Sequence, residues 1–248
     1  METVRVEHEG NSPRPRLGGS VAYLLLNLPI GVVGMSLLLA LFSAGVGTVI
    51  VWAGLPILAL ALLLSRGAAK VERARIYAML DTYIALPYRP LPEGTVAQRW
   101  KARVADGATW RDVAYFFLLF PIGVIEFCLT VTFWATSLSL LALPIYFRFL
   151  PGGAYHFPGY EVRWITVDST LEALPWAALG VLAAALSVAL TKALAATHAR
   201  FARALLGPTR RSMRLAEAAE REDDLLGKAL ASGPEAREMG AGKPVTTW

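Results

Sequence analysis

Apolar positions in this chain fall into long unbroken blocks rather than short alternations. From Val21 to Leu64 there is no Asp, Glu, Lys or Arg; from Val113 to Phe147 the one formal charge is Glu126; from Ala173 to Thr191 there is none. Runs of about 18 or more apolar residues can cross a hydrocarbon layer roughly 30 Å thick. The first block is too long for one crossing and suits two, with "FSAGVG" at 42–47 supplying the turn. The pattern predicts spans over 21–43 and 47–64, a third from Asp112 to Leu141 or beyond, and a fourth over 174–192 that opens at Pro175 and closes on Lys192. "TWRD" at 109–112 has the form of a capping box for the third.

The segments between the blocks are patterned differently. From Arg66 to Ala85, Val71, Ile76, Tyr77, Leu80, Tyr83 and Ile84 recur at helical spacing among Arg66, Lys70, Arg73 and Arg75, an amphipathic helix suited to anionic headgroups. "LPYRPLPEG" at 86–94 is a stiff, extended connector. Val96, Trp100 and Val104 then form a short apolar stripe beside Arg99, Lys101 and Arg103. In the 148–174 loop, "YEVRWITVDS" alternates as a small hairpin or lone strand. After Gly207-Pro208 comes a helix former, basic first and acidic later, whose patchy seam suits a second copy (a homodimer) or a partner. Residues 1–20 and 231–248 are polar and expected to be disordered.

Composition makes the membrane reading firm. Hydrophobic residues make up 55 % and charged residues 17 %, against about 25 % charged in soluble domains. A soluble core of such helices would need amphipathic ones to cover it, and the chain has too few. The polar start followed by two successive apolar runs is not the form of a cleaved signal. Cys128, the single cysteine, offers no disulfide and is expected to pack as a small hydrophobe. Residues 65–111 hold nine basic groups against four acids, residues 148–174 two against three, and ten basic groups lie from Lys192 onward, with Arg200 and Arg203 near the fourth span. Positive-inside bias then places both termini and 65–111 in the cytoplasm and 148–174 outside. The net charge of +5 is read as matched to lipid headgroups and not to nucleic acid.

The sequence also repeats. "AYLLLNLPIGVVGM" at 22–35 and "AYFFLLFPIGVIEF" at 114–127 share Ala, Tyr, Pro-Ile-Gly and Val in order. A second Leu-Pro follows each, then similar exits, "ARIYAML" at 74–80 and "ARFARALL" at 199–206. The fold expected is therefore an all-α membrane protein of four transmembrane helices, as two parallel repeated hairpins (21–64 and 112–195) related by an axis along the membrane normal. Cytoplasmic helices fill 65–111 and 196–230.

Pro29 and Pro121 each remove a backbone donor and kink a helix, either as packing bends or as a paired opening around a ligand. Glu126, placed near mid-span with no basic residue expected at its depth, should be protonated, paired or facing a wet cavity. The candidates for ligand or signal are Glu126, Asn27, Pro29, Pro121, His156 and Trp164; those for the membrane interface or a partner are Arg73, Arg75, Tyr77, Trp100, Trp110, Arg200 and Arg203. No phosphate loop, HExxH, GxSxG or dinucleotide pattern occurs, and His8, His156 and His198 fall in separate regions. No catalytic group, metal site or cofactor is expected.

"AYFFLLFPIGVIEF", "LSLLALPIYFRFLPGG", "ATWRD", "LPYRP" and "RALLGP" resemble the sensor domain found at the N-terminus of actinobacterial two-component histidine kinases, over roughly residues 18–210. The resemblance implies a multi-span membrane module whose last span leads, through a segment similar to "RALLGPTRRSMRLAEAAERE", into the helix pair bearing a phosphorylated histidine and then an ATP-binding domain. Here no histidine follows His198, and the residues from Arg211 to Trp248 are too few for an ATP-binding domain. The expectation is a non-enzymatic sensor or regulatory module acting on a separate partner, a kinase or a transporter, in the cell membrane. The alternatives are an accessory or assembly subunit of a transporter, and a small proton-coupled transporter or membrane enzyme centred on Glu126.

Overall fold

The computed structural model describes residues 16–88, 94–159, 161 and 163–231. The expectation of disorder over 1–20 and 231–248, and part of the 86–94 connector, lie mostly outside the described residues; where they are described, Leu17–Ser20 is the first turn of the first helix and Ala231 ends the last. The chain forms α1 (Leu17–Gly47), α2 (Gly54–Leu80), α3 (Val96–Ala105), α4 (Gly107–Tyr146), a hairpin of β1 (Tyr155–Pro158) and β2 (Arg163–Val167), α5 (Thr170–Leu206) and α6 (Arg210–Ala231). Helices α1, α2, α4 and α5 are each long and apolar enough to cross a membrane.

Several boundaries differ from the sequence reading for local reasons. The second span and the amphipathic segment after it are one continuous helix, α2, which stops at Leu80 because Asp81 turns left-handed at φ 50°. The third span opens earlier than Asp112: Asp106 is the cap, accepting from the Ala108 N–H. Thr109, assigned the capping role from "TWRD", instead donates its hydroxyl to the Arg103 carbonyl. The fourth span begins at a Ser169 cap, and the helix expected over 196–230 is divided, its first part belonging to α5 and its remainder to α6. A reciprocal Thr95–Gln98 capping box starts α3. Cys128 lies on the exposed face of α4.

Helix α4 serves as a ruler for the bundle. Near its start Trp110 stacks on Phe42 of α1; further on Phe116 meets Gly34, Leu119 and Phe120 meet Gly31, and Gly123 meets the backbone of Asn27 and Leu28. Still further, Trp134 donates to Thr191, and Leu141 lies against Gly180 of α5. The α1–α2 turn is thus at one end and the β-hairpin at the other. There Leu143, Phe147, Val167 and Ala173 form a small core, with Phe157 stacked 4.2 Å from Trp176. The main core, including Tyr23, Ile76, Tyr115, Phe116, Leu119, Ala202 and Leu206, lies where α1, α2, α4 and α5 meet.

This pairing corrects the expected relation between the repeats. Position numbers rise along α1 as they fall along α4, so the two helices run in opposite directions. The reversal follows from the connector: the chain after Leu80 returns along the bundle, with Ile84 beside Gly207 and Tyr88 bonded to Arg73 and Asp112. The repeats meet reciprocally. Gly31, two residues after Pro29, packs on the backbone two and one residues before Pro121; Gly123, two after Pro121, packs on the corresponding pair before Pro29. That is a local two-fold lying across the helices, as in inverted repeats. Both prolines sit on exposed faces of unbroken helices. Because the α1–α2 turn and α3 share one end, the charge rule's placement of that turn outside and of α3 inside does not hold for both.

An added Cβ at Gly31 would sit 2.9 Å from Phe120 Cα, and one at Gly123 2.8 Å from the Asn27 carbonyl oxygen. Gly31→Ala and Gly123→Ala should each cost about 1–3 kcal/mol by forcing the backbones apart, read as lowered unfolding temperature in detergent; Gly67→Ala, with open space around it, should not. A short bifunctional thiol reagent should join Phe42→Cys to Trp110→Cys, and a failure to do so would reinstate the parallel arrangement.

Candidate functional site

Glu126 is not alone at its depth. Its Oε1 lies 2.8 Å and its Oε2 3.0 Å from His198 Nδ1, and Asn27 Nδ2 donates to Oε2 at 2.6 Å. The basic partner was overlooked because α4 starts before Asp112 and α5 continues past Lys192, which brings His198 level with Glu126. From there the contacts form a closed circuit. Tyr115 Oη lies 3.1 Å from His198 Nε2 and donates to Glu72 Oε1 at 2.9 Å. Tyr23 donates to the same oxygen at 2.9 Å. Arg75 grips both Glu72 oxygens, from Nε at 2.9 Å and Nη2 at 2.7 Å, and also donates to Asn27 Oδ1 at 2.6 Å. The Arg75 guanidinium stands 4.2 Å from the centre of the Tyr23 ring, and the Tyr23 and His198 rings meet edge to face at 5.1 Å. Seven side chains from four helices therefore close on one another.

Hydrogen assignment follows from this network. A carboxylate accepts, so Nδ1 of His198 donates to Glu126. Each tyrosine has one hydroxyl proton, and both are directed at Glu72. With Nδ1 turned to Glu126, Nε2 faces the Tyr115 oxygen, and Arg75 Nη1 is left buried without a hydrogen-bond partner. The cluster is buried, so its polar groups depend on one another for partners: Tyr23, Asn27 and Tyr115 are fully enclosed, Glu72 is 2 % and Glu126 5 % exposed.

A second cluster holds the exit of α5. Arg73 bonds Asp112 at 3.0 Å with both groups buried, and donates twice to the Leu206 carbonyl, from Nε at 3.1 Å and Nη2 at 2.8 Å. Arg111 donates to the Gly207 carbonyl at 2.8 Å. These guanidiniums satisfy acceptors that a helix end leaves unpaired. Tyr88 donates to Asp112 at 2.7 Å and accepts from Arg73, under the Arg66 guanidinium 4.0 Å from its ring centre. Burial first, and then the Asp112 carboxylate, raise the Tyr88 phenol above its ordinary value. A raised value favours the neutral phenol, so its contribution is complete below the usual tyrosine range, about 10, and is lost as pH rises through the folded-state value.

Of the candidate residues, Asn27, Glu126 and Arg75 come together in the first cluster, with Pro29 and Pro121 at the adjoining crossing; Arg73 builds the second. His156 is buried in the β-hairpin, 3.0 Å from Thr166 Oγ1, and Trp164 is on the hairpin's exposed surface; neither joins the clusters. Tyr77 is exposed and meets Tyr83 edge to face. Arg200 and Arg203 are exposed on α5. Trp100 and Trp110 line an apolar groove. Thr130, one turn from Glu126 on α4, is buried with no hydrogen-bond partner for its hydroxyl. The reading missed Tyr23, Tyr115, Glu72 and His198 as site residues. The two tyrosines carried a signal, since they hold the same place in both repeats, six residues before the proline.

Four long apolar helices around a buried polar circuit define a multi-pass, all-α membrane protein. Among the described residues no three His, Cys, Asp or Glu side chains gather as metal ligands. The chain belongs to the family described as "Putative sensor", whose model matches residues 23–206. No curated protein and no solved structure matches it.

Removing one partner of a buried pair leaves a charge uncompensated and typically costs about 3–5 kcal/mol. His198→Ala and Arg73→Ala should each lower stability by that order, measured by thermal or denaturant unfolding in detergent. In a double-mutant cycle His198→Ala with Glu126→Ala should cost much less than the sum of the single changes.

Proposed function

We propose that this protein is a non-enzymatic membrane sensor or regulatory module in which the seven-residue circuit ties helix packing to the position of α6. The observation that carries the reading is the convergence of Tyr23, Asn27, Glu72, Arg75, Tyr115, Glu126 and His198 from all four long helices. A shift of any one helix strains bonds to the others, and His198 lies on α5, which ends where Arg73 and Arg111 hold Leu206 and Gly207. A change in the bilayer or at the β-hairpin would thereby reach α6. The basic groups Arg200, Arg203, Arg210, Arg211 and Arg214 support a cytoplasmic setting for that exit, against anionic headgroups. A separate kinase is the first partner to test, on the resemblance to two-component sensor domains; a transporter subunit or a second copy docking on α6 is the alternative. The reading of Glu126 as a transport or catalytic centre is less well supported, because both its oxygens are engaged by His198 and Asn27.

Spin labels at Arg214→Cys and Lys101→Cys, with Cys128→Ser, report where α6 sits in lipid vesicles. Glu126→Gln and His198→Gln should shift or broaden the measured distance distribution in chains that stay folded. If both variants only lower the unfolding temperature and leave the distances unchanged, the circuit holds the bundle together and transmits nothing.

A further inference from the structure

Between the α1–α2 tip, α3 and the start of α4 lies a groove of about 800 Å³ whose walls include Phe42, Leu55, Leu58, Leu62, Trp100 and Trp110. That is within the range of small-molecule sites, roughly 300–1,000 Å³, but its lining side chains are apolar and offer little to orient a polar ligand. Next to it the α1–α2 turn presents Val49, Ile50, Val51 and Trp52 outward, Ile50 at 89 % exposure. A tip of that kind is at home in hydrocarbon. The lid of the groove is α3, which turns Trp100 and Val104 toward the cavity and carries Arg99, Lys101 and Arg103 on either side of that stripe. The Arg103 guanidinium lies 5.3 Å from the centre of the Trp100 ring, and among the described residues no ion pair involves Arg99, Lys101 or Arg103.

We infer that this groove binds an acyl chain of an anionic phospholipid, with the headgroup phosphate held by Arg99 and Arg103 at the rim. The charge at the rim selects the occupant. A neutral lipid would fill the apolar walls equally well but would leave two arginines at the interface without an anion; an anionic one satisfies both parts at once. Long arginine side chains over an apolar lid can also reach outward to a phosphate while their methylenes cover hydrocarbon. The inference stands apart from the buried circuit, because no residue of the circuit lines the groove.

The test uses the full chain in phosphatidylcholine vesicles carrying a small fraction of phosphatidylglycerol or phosphatidylcholine with a photoreactive group in the acyl chain. Labelled peptides are then mapped by mass spectrometry. The expected result is labelling concentrated in 54–63 and 100–110, several-fold stronger with the phosphatidylglycerol probe. Ala59→Trp, which fills the groove, should reduce that labelling several-fold while leaving the α5 face around Leu182 unchanged. Arg99→Gln with Arg103→Gln leaves the core untouched and should equalise the two probes, which decides the matter even if Ala59→Trp fails to fold. Labelling no stronger in the groove than on α5 would overturn the inference. So would equal labelling by both probes in the unaltered chain, or crosslinks from the groove to a second copy in place of lipid.

Discussion

A carboxylate and an imidazole buried 2.8 Å apart among apolar helices impose the strongest constraint on this structure. Neither group tolerates such a setting unpaired, since an uncompensated ion in a low-dielectric interior costs several kcal/mol. Glu126 therefore needs His198, His198 needs the Tyr115 oxygen, and Glu72 needs Arg75 and two phenols. Each helix contributes a group that another cannot do without. The apolar faces alone would allow the helices to slide; the circuit fixes one alignment, as polar groups in apolar seams do where they set register.

The repeat explains how the circuit came to lie where it does. At the α1–α4 crossing, Tyr23 and Tyr115, Pro29 and Pro121, and Gly31 and Gly123 are matched pairs. The glycines let the backbones approach, and both tyrosines reach the same Glu72 oxygen. Most differences between the repeats exchange one apolar residue for another, but at two places a polar side chain has no polar counterpart. Asn27 stands opposite Leu119 in the alignment of the repeats, and Glu126 stands opposite Gly34. Those two unmatched polar residues bond directly to each other, at 2.6 Å. The framework is symmetric, and its buried polar chemistry begins where the symmetry is broken.

Much of this was legible in the chain and some was not, for identifiable reasons. The uncharged blocks marked all four long helices, and alternation around Trp164 marked the hairpin, because burial in hydrocarbon and strand pairing both leave periodic traces. The direction of α4 left none. Charge counting assumes that a connector stays on one side, whereas residues 81–88 run back along the bundle to place Tyr88 between Arg66, Arg73 and Asp112. Arg73 and Arg75 looked like surface charges, since a basic run with acids at irregular spacing reads the same whether it faces headgroups or a partner helix. Only the tertiary fold tells that Arg73 caps α5 and that Arg75 closes the circuit. The family match supports a sensor-type membrane module, and the partners of Glu126 became visible only in the packing.

Helix α4 contains 40 residues, about 60 Å at 1.5 Å per residue, twice the thickness of a typical hydrocarbon layer. Its first half is flanked by the apolar tip of α1 and α2, its second by the apolar half of α5. A rod of that length cannot stand upright with all of its oily surface covered. It must lean, bend or thin the surrounding lipid, and the energy of doing so varies with the membrane it is in. Residence in a thinner or thicker bilayer is therefore a mechanical load on this protein, and α4 meets it through its packing on both α1 and α5.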